Sequence, residues 1–257
     1  MPRSRLQTVQ APCKINLHLG IYAEKDARGY HRVDSVMVPV GLFNTITIES
    51  APETSVAFEP SFDGLVRGNA TQRAIELLSR ALGVEECVSV RIERRIPSGG
   101  GLGSSSADAG SVLRALAERW DVDPLDQRVV DVARRVGADV AFFLNPVPSL
   151  LRGAGDVLEN TFPVLGGVPL ALVMPADCAS STREVYEEFD RVPTAPESPD
   201  ALCDTLARGD VPGVAAHLYN NLAPAALRLK PAMGEPAAWL AQQSGVIASQ
   251  ITGSGSC

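Results

Sequence analysis

The sequence predicts an α+β protein with two subdomains. Segments in which apolar and polar residues alternate predict strands with one buried face, as in "NTITIES" at 44–50 and "CVSVRIE" at 87–93. Segments whose apolar residues recur every three or four positions predict helices. The first part of the chain is rich in predicted strands, and a new strand-like run starts near residue 168. We therefore expect one subdomain over 1–160 and a second over 161–257.

Further strands are predicted in "KINLHLGIY" at 14–22 and "VDSVMVPV" at 33–40. The apolar run "VPLALVMPA" at 168–176 has the pattern of a buried strand at the start of the second subdomain. A segment rich in proline and acidic residues, "EEFDRVPTAPESPD" at 187–200, predicts an exposed loop.

Two helices are predicted from their apolar faces and their end signals. The first spans 69–83, with Asn69 as its cap and Gly83 at its end, and its apolar face consists of Ala74, Ile75, Leu78, Ala81 and Leu82. The second ends at Gly137, and its apolar face consists of Leu125, Val129, Val132, Ala133 and Val136.

Composition excludes several classes of protein. A net charge of −7 argues against a general nucleic-acid binder, which needs a basic surface. The five cysteines form no CxxC pair and no zinc-type cluster with histidine, which favours free thiols in a reducing compartment. The longest apolar run is too short to span a membrane, and the N-terminus lacks the apolar core of a signal peptide. We expect a cytoplasmic protein without nucleic-acid or membrane partners.

The segment "PSGGGLGSSSADAGSVL" at 97–113 is the strongest functional signal. It follows a predicted strand and leads into a helix whose apolar positions are Ala109, Val112, Leu113, Leu116 and Trp120. Backbone N–H groups at a helix start bind anions, and glycine lets the backbone approach a phosphate closely. No lysine follows the last glycine of the loop, so this is not a Walker A loop. The alternative is a flexible loop or a simple helix cap.

Residues 97–107 resemble the phosphate loop of the GHMP kinases, which has the pattern Pro-x-x-x-Gly-Leu-Gly-Ser-Ser. Within that superfamily the chain is most similar to the 4-diphosphocytidyl-2-C-methyl-D-erythritol kinases. The segments that carry this closer resemblance, in order along the chain, are "APCKINLHLGI" at 11–21, "GYH" at 29–31, "SADA" at 106–109, "GADVAFFL" at 137–144, "GAGD" at 153–156 and "TGSGSC" at 252–257. Two features depart from the family: Ser104 and Ser105 stand where glycines are more frequent, and the chain stops at Cys257, immediately after "TGSGS".

The resemblance implies the fold and the activity. The GHMP kinase fold has an N-terminal ATP-binding domain like domain 2 of ribosomal protein S5, expected here at 1–160. Its C-terminal domain is ferredoxin-like, expected here at 161–257 and incomplete. The implied reaction is the ATP- and Mg²⁺-dependent phosphorylation of the 2-hydroxyl of 4-diphosphocytidyl-2-C-methyl-D-erythritol, a step in the non-mevalonate route to isoprenoid precursors.

The resemblance also implies which residues bind ATP. The loop residues are Pro97, Ser98, Gly99, Gly100, Gly101, Leu102, Gly103, Ser104, Ser105, Ser106 and Ala107. The hydroxyl of Ser105 is a candidate contact of Mg²⁺ or phosphate, although the sequence assigns no metal ligands. Asn69 either contacts the adenine or only caps its helix.

Lys14 and Asp139 match the catalytic pair of the family. Asp139 would accept the proton of the substrate hydroxyl, while Lys14 would keep Asp139 ionised and offset charge near the transferred phosphate. The alternative is a structural ion pair. In "GADVAFF" the two phenylalanines, Phe142 and Phe143, are expected in the core, so an acid beside them needs a partner or a function.

The predicted acceptor site is a slot for cytosine. The resemblance implies that His31 hydrogen-bonds the base and that Tyr30 and Tyr186 stack on it, whereas Asn16 and Thr182 contact the sugar or diphosphate. A lone histidine is otherwise more often a surface or satisfied core residue. The "TGSGS" turn at 252–256 is expected to close over the substrate phosphates, and its alternative is a flexible tail.

Two other functions stay open at this point. One is a GHMP kinase of the homoserine or mevalonate type, which would lack the "GYH" elements of the cytosine slot. The other is a non-enzymatic, metabolite-binding member of the fold, which would be expected to have lost Lys14 or Asp139, and both residues are present.

Overall fold

The computed structural model describes residues 6–60, 70–175 and 181–257. Contacts divide the described residues into two compact units: those of the first lie within 1–13, 40–97 and 103–146, and those of the second within 14–39, 98–102 and 147–257. The division is therefore interleaved, with the first two strands each passing through both units. The predicted boundary near residue 160 does not coincide with this division into two units. The division into family domains at 1–160 and 161–257 stays a prediction.

The described part of the chain contains strands, α-helices and two 3₁₀ helices. The strands are β1 (Gln7–Lys25), β2 (His31–Ser50), β3 (Ser55–Glu59), β4 (Val88–Glu93), β5 (Ser149–Arg152), β6 (Val157–Thr161) and β7 (Tyr219–Asn220). The α-helices are α1 (Ala70–Leu82), α2 (Ser104–Arg119), α3 (Gln127–Val136), α4 (Thr182–Arg191), α5 (Asp200–Ala207), α6 (Val211–Ala216), α7 (Ala223–Leu229) and α8 (Gly234–Leu240). The 3₁₀ helices are Ala138–Leu144 and Pro231–Met233. Mixed helix and strand content confirms the predicted α+β class.

In the first unit, β4 pairs on both sides. It is antiparallel to β2, with Thr45 opposite Glu93, and parallel to β3, with Ser55 opposite Ser89. The alternation that predicted "NTITIES" as a strand is confirmed, because Ile46 and Ile48 are buried between partly exposed neighbours. The helices α1, α2 and α3 pack against one another.

The predicted helices form, with small differences at their ends. Gly83 has a φ of 67° directly after α1, a left-handed conformation that ends the helix as expected. Ala81 is exposed and Leu82 is half-buried, so the predicted apolar face of α1 is fully buried only as far as Leu78. Leu125 is 51% exposed and precedes α3, because Asp126 caps that helix by accepting from the backbone N–H of Arg128. The expected cap of α1, Asn69, lies outside the described residues.

Helix α2 is the centre of the first unit. Ala109, Val112, Leu113 and Leu116 are fully buried, as their spacing predicts. Gly110 faces the 3₁₀ helix Ala138–Leu144 so closely that a Cβ there would meet Phe143 and the carbonyl oxygen of Val140. The predicted core position of Phe142 and Phe143 is confirmed.

In the second unit, the remaining parts of β1 and β2 gain other partners. β5 is antiparallel to β2, with Val36 opposite Leu150, and β7 is parallel to β1, with His18 opposite Tyr219. One apolar cluster joins these strands to helices α4 and α7, and its members are Leu19, Ile21, Val33, Val185, Phe189, Leu222, Ala225, Ala226, Met233 and Ile251. A second cluster joins Val36 and Leu150 to α5 and α6.

The buried strand predicted from residue 168 is wrong for the described residues 168–175. No strand is formed there, and Leu170, Leu172 and Met174 are 54%, 36% and 40% exposed. An apolar run becomes a buried strand only where neighbouring strands supply hydrogen bonds and cover. The loop predicted at 187–200 is shorter than expected, since α4 continues to Arg191.

Two observations concern the helices and the cysteines of the described residues. None of the helices there has the length and apolarity needed to cross a bilayer. Cys13, Cys87, Cys203 and Cys257 form no disulfide among the described residues, and Cys178 lies outside them.

Candidate active site

The glycine-rich loop depends on glycine at alternate positions. Gly99, Gly101 and Gly103 have φ values of 73°, 72° and 71°, in the left-handed region that side chains rarely adopt. The loop connects the chain after β4 to the start of α2, which confirms the predicted order of strand, loop and helix.

The start of α2 leaves its first backbone amides free of a side-chain cap. Gly103 is the N-terminal cap residue, and it supplies no side-chain hydrogen bond to the first backbone amides of the helix. The first regular bond runs from the N–H of Ala107 to the carbonyl oxygen of Gly103, at 2.8 Å. Ser105 is exposed at this end, while Ser104 and Ser106 are half-buried. Unpaired first-turn N–H groups with a partial positive charge are a site for an anion.

The C-terminal turn at 252–257 is packed against the loop. Within the second unit, the N–H groups of Ser256 and Cys257 lie 3.2 and 3.3 Å from the carbonyl oxygens of Gly99 and Gly100. A Cβ at Gly101 would overlap the carbonyl oxygen of Thr252. Residues 251–256 are buried, so the alternative of a flexible tail is wrong. The buried turn thus holds the backbone of the loop.

A buried polar cluster in the second unit surrounds Asn16. Lys14 Nζ donates to Asn16 Oδ1 at 2.6 Å, and Asn16 Nδ2 donates to Ser35 Oγ at 2.9 Å. The backbone N–H of Asn16 donates to Thr252 Oγ1 at 2.8 Å, and that of Lys14 to the carbonyl oxygen of Leu102 at 3.1 Å. The structure therefore brings together two of the predicted site residues, Lys14 and Asn16, with the glycine-rich loop and the C-terminal turn.

Asp139, the predicted base, belongs to the first unit. It stands in the first turn of the 3₁₀ helix Ala138–Leu144, after Gly137 and before the buried Val140. Its neighbours Phe142 and Phe143 anchor this helix in the core, whereas Asp139 itself is half-buried. A rigid support of this kind suits a group that must hold one position relative to its substrate.

His31 and Tyr186, two residues of the predicted cytosine slot, are neighbours in the second unit. Their rings lie 5.5 Å apart at an angle of 37°. His31 Nδ1 is 2.7 Å from the carbonyl oxygen of Tyr22, so Nδ1 carries the hydrogen in this bond. Nε2 faces Asp190 Oδ1 at 3.0 Å. Two elements, β1 and α4, thus fix the orientation of the imidazole.

Tyr30, the third predicted slot residue, is 51% exposed in the turn between β1 and β2. The guanidinium of Arg28 lies 5.3 Å from the centre of its ring, a cation–π distance. Arg28 also pairs with the buried Asp156 at 2.9 Å and with Asp26 at 2.7 Å. Asp156 belongs to the "GAGD" segment, so that motif supports the turn that carries Tyr30.

Thr182 stands at the first position of α4, where Ser181 caps the helix. Its Oγ1 lies 3.0 Å from Ser254 Oγ in the C-terminal turn. This contact joins a predicted substrate residue to the "TGSGS" segment within the second unit.

Sequence reasoning missed several buried polar groups near these positions. Asp34 binds Arg152 at 2.6 Å and accepts from the Tyr22 hydroxyl at 2.7 Å, and this hydrogen bond raises the pKa of Tyr22. His18 stacks on Tyr219 at 5.0 Å, and burial lowers the pKa of its imidazole to about 4, so it is neutral at pH 7. The unexpected polarity of these positions within apolar strand patterns was the available signal.

Comparisons with known proteins match this chain to one family of kinases. The family model described as the GHMP kinases N terminal domain matches residues 69–145, from the start of α1 to the end of the 3₁₀ helix that carries Asp139. A 4-diphosphocytidyl-2-C-methyl-D-erythritol kinase of Nocardioides sp. is 36% identical over 96% of this chain and 85% of its own. The kinase of that name from Gloeobacter violaceus is 32% identical over 96% and 82%.

The chain belongs to the 4-diphosphocytidyl-2-C-methyl-D-erythritol kinase family.

Solved structures agree with this family. A crystal structure of 4-(cytidine 5'-diphospho)-2C-methyl-D-erythritol kinase matches with a TM-score of 0.68 and 30% identity, over 91% of this chain and 82% of that one. A homoserine kinase from Cytophaga hutchinsonii matches with a TM-score of 0.65 at 17% identity, over 99% and 84%, which is a likeness of fold. The predicted GHMP kinase fold and the predicted 4-diphosphocytidyl-2-C-methyl-D-erythritol kinase family are both confirmed.

Proposed function

We propose that this protein transfers a phosphoryl group from ATP to the 2-hydroxyl of 4-diphosphocytidyl-2-C-methyl-D-erythritol. The observation that carries the proposal is 36% identity, over nearly the whole chain, to a kinase named for that substrate. The geometry supports it, because a glycine-rich loop with left-handed glycines precedes an uncapped helix start within the described residues. The expected setting is the cytoplasm, with small-molecule partners.

ATP is the phosphate donor of this kinase family. Backbone N–H groups of the loop at 97–107 bind its phosphates in this proposal, since glycine removes the Cβ that would keep the backbone away. Asn69, which lies outside the described residues, stays a candidate contact of the adenine.

Mg²⁺ is the expected companion of ATP. The described residues hold no group of three or more histidine, cysteine, aspartate or glutamate side chains arranged for a metal. That fits a Mg²⁺ ion held chiefly by phosphate oxygens and water, its usual arrangement in ATP-dependent enzymes. The exposed hydroxyl of Ser105, at the start of α2, is a hard oxygen donor and the candidate protein ligand.

Lys14 and Asp139 carry the proton transfer and the charge in this proposal. Asp139 accepts the proton of the attacking hydroxyl, and Lys14 offsets the negative charge that develops around the transferred phosphoryl group. The short bond from Lys14 Nζ to Asn16 Oδ1 helps to orient the ammonium. Positioning and charge account for most of the catalysis of phosphoryl transfer, so the protein needs few reactive groups.

The cytidine end of the acceptor binds near His31, Tyr186 and Tyr30. The imidazole of His31 is already oriented, and the tyrosine rings supply flat apolar faces for a base. Asn16 and Thr182 bind the sugar or diphosphate part. Each contacts the C-terminal turn, Asn16 through Thr252 and Thr182 through Ser254.

Turnover of ATP with three acceptors tests the proposal. We expect product with the cytidine-containing substrate and none with homoserine or mevalonate, and we expect CMP to inhibit competitively against that substrate. Turnover with homoserine or mevalonate, without inhibition by CMP, would assign the protein to another GHMP kinase activity. Binding of ATP and CMP without any turnover would support the non-enzymatic member of the fold.

A further inference from the structure

The glycine-rich loop has a buried polar anchor that lies outside its own sequence. Asn44, on β2, is fully buried in the first unit. Its Oδ1 accepts from the backbone N–H groups of Arg95 and Ile96, at 2.8 and 2.9 Å. These two residues follow the end of β4 and lead directly into Pro97, the first residue of the loop. One side-chain oxygen therefore holds the chain where it enters the loop.

The amide nitrogen of the same side chain holds the chain where it leaves the loop. Asn44 Nδ2 donates to Asp108 Oδ1 at 2.7 Å and lies 3.4 Å from Ser104 Oγ. Ser104 begins α2, and Asp108 is one turn further along it. Ser104 Oγ in turn donates to the carbonyl oxygen of Ile96, at 3.4 Å. The entry and the exit of the loop are thus joined through one buried asparagine.

Burying the ionised carboxyl of Asp108 at this position is unfavourable for folding. It is fully buried, and burial raises the pKa of its carboxyl to about 6. Arg94, whose Nε lies 3.7 Å from Asp108 Oδ2, partly offsets that cost, and its guanidinium is 3.9 Å from the centre of the Phe58 ring. A buried carboxyl with so long an ion pair stabilises the fold weakly. Its well-made bond is the short one to Asn44.

We propose that Asn44 and Asp108 are positioning residues for ATP, which hold the two ends of the glycine-rich loop in the geometry that binds phosphate. A loop with glycine at alternate positions loses much conformational entropy when it orders around a ligand. Fixing both of its ends beforehand reduces that loss and so tightens binding. This inference rests on the proposed function, because the loop is the phosphate site only if the protein binds ATP.

Exchanging the two residues tests the pair directly. Asn44→Asp keeps an acceptor for the N–H groups of Arg95 and Ile96, but it sets a carboxyl against Asp108. In the double variant Asn44→Asp with Asp108→Asn, the new asparagine donates to the new aspartate, and the net charge is unchanged. We expect the Kd for ATP, measured by calorimetry at pH 8, to rise about tenfold in Asn44→Asp and in Asn44→Ala, since each loses hydrogen bonds to the loop ends. The double variant returns to within about threefold of the wild-type Kd, because the bonds are re-formed.

Asn221 provides a matched control. It is also a buried asparagine that clasps backbone, accepting from the N–H of Ile21 at 2.8 Å and donating to the carbonyl oxygens of Ile21 and Thr194. Asn221→Ala is expected to lower the melting temperature while leaving the Kd for ATP unchanged. A loss of stability without a loss of affinity is the result of a purely structural role, and the same result for Asn44→Ala would overturn the proposal.

Hydrogen exchange of the backbone amides at 98–107, without nucleotide, separates this inference from the proposed function. We expect faster exchange in Asn44→Asp and a return to the wild-type rate in the double variant. If the wild-type protein does not bind ATP, the proposed function fails. These exchange rates alone then decide whether Asn44 and Asp108 hold the ends of the loop. Unchanged exchange in a folded Asn44→Asp variant would overturn the inference. A folded double variant that restores neither the exchange rate nor the affinity for ATP would also overturn it.

Discussion

Asp139 is the residue on which the proposed chemistry depends most directly. Asp139→Asn keeps the size of the side chain and removes its basicity. We expect kcat to fall by about 10²–10⁴-fold, the usual contribution of a general base, with little change in the KM for either substrate. Steady-state kinetics and a melting curve on the same preparation measure both the loss and the integrity of the fold.

Asp131 on α3 serves as the control for that substitution. It is an exposed aspartate of the same unit, and it accepts from Gln127 Nε2 at 2.7 Å. Asp131→Asn is expected to leave kcat unchanged. Near-normal turnover in Asp139→Asn would remove Asp139 from the mechanism and favour the structural ion pair considered from the sequence.

The cytosine slot makes a separate prediction for the acceptor substrate. His31→Ala removes an oriented hydrogen-bonding group and Tyr186→Ala removes a stacking face, each of which contributes about 1–3 kcal/mol to the binding of a base. The KM for the cytidine substrate should therefore rise about ten- to a hundredfold, at an unchanged KM for ATP. Steady-state kinetics with each substrate varied in turn measures both values.

Tyr186→Phe is the matched control, because it keeps the ring that packs beside the apolar cluster around Phe189. It should retain most of the acceptor affinity if stacking is the contribution of Tyr186. Unchanged acceptor KM in both His31→Ala and Tyr186→Ala would refute the slot.

The carboxyl of Asp108 predicts a pH dependence of stability. Burial is the main cause that raises its pKa from 3.8 to about 6 in the folded state. Between these two pH values the carboxyl is therefore protonated in the folded protein and ionised in the unfolded chain. The contribution of Asp108 to the free energy of unfolding is therefore greatest below pH 4 and falls as the pH rises to about 6. Asp108→Asn removes this dependence. Denaturant titrations should show the variant gaining stability relative to wild type from pH 4 to pH 7, and a constant difference would contradict the prediction.

At the level of elements, alanine substitutions at two glycines test whether the contact between the loop and the C-terminal turn affects ATP binding. Gly101 and Gly83 have similar left-handed φ values, 72° and 67°. A Cβ at Gly101 would overlap the backbone of Thr252, whereas a Cβ at Gly83 would meet open space. Alanine at either position strains the backbone by about 1 kcal/mol, but only Gly101→Ala also displaces the turn.

We expect Gly101→Ala to raise the KM for ATP at least about tenfold and Gly83→Ala to change stability alone. Both variants are compared by ATP titration and thermal unfolding. Equal KM values would show that the turn does not affect the loop.

Elements differed in how well their sequences predicted them. Strand β4 and helix α2 follow their patterns, because close neighbours in the first unit pair with β4 and pack around α2. The run at 168–175 has an equally clear apolar pattern and is exposed coil. A hydrophobic pattern records a need for burial, but the partner that satisfies it belongs to another part of the chain.

For the whole molecule, the interleaved division predicts that a fragment ending at residue 160 does not fold cooperatively. Such a fragment keeps Leu19, Ile21 and Val33 but loses Val185 and Leu222, which pack on them in the second unit. It would expose several apolar side chains, each of which stabilises the folded state by about 1.5–3 kcal/mol when buried. Circular dichroism with a denaturant titration tests this, and a sharp unfolding transition in the 1–160 fragment would contradict it.

The sequence by itself determined the fold class, the family and the glycine-rich loop, because these depend on local periodicity and on short motifs in a fixed order. It also placed Lys14, Asp139, His31 and Tyr186 in the predicted site. Only the tertiary structure decided that the C-terminal turn is buried against the loop, and that Asn44 joins the loop to Asp108. These contacts link residues more than sixty positions apart in the chain. Their formation depends on how strands and helices pack, which local patterns do not specify.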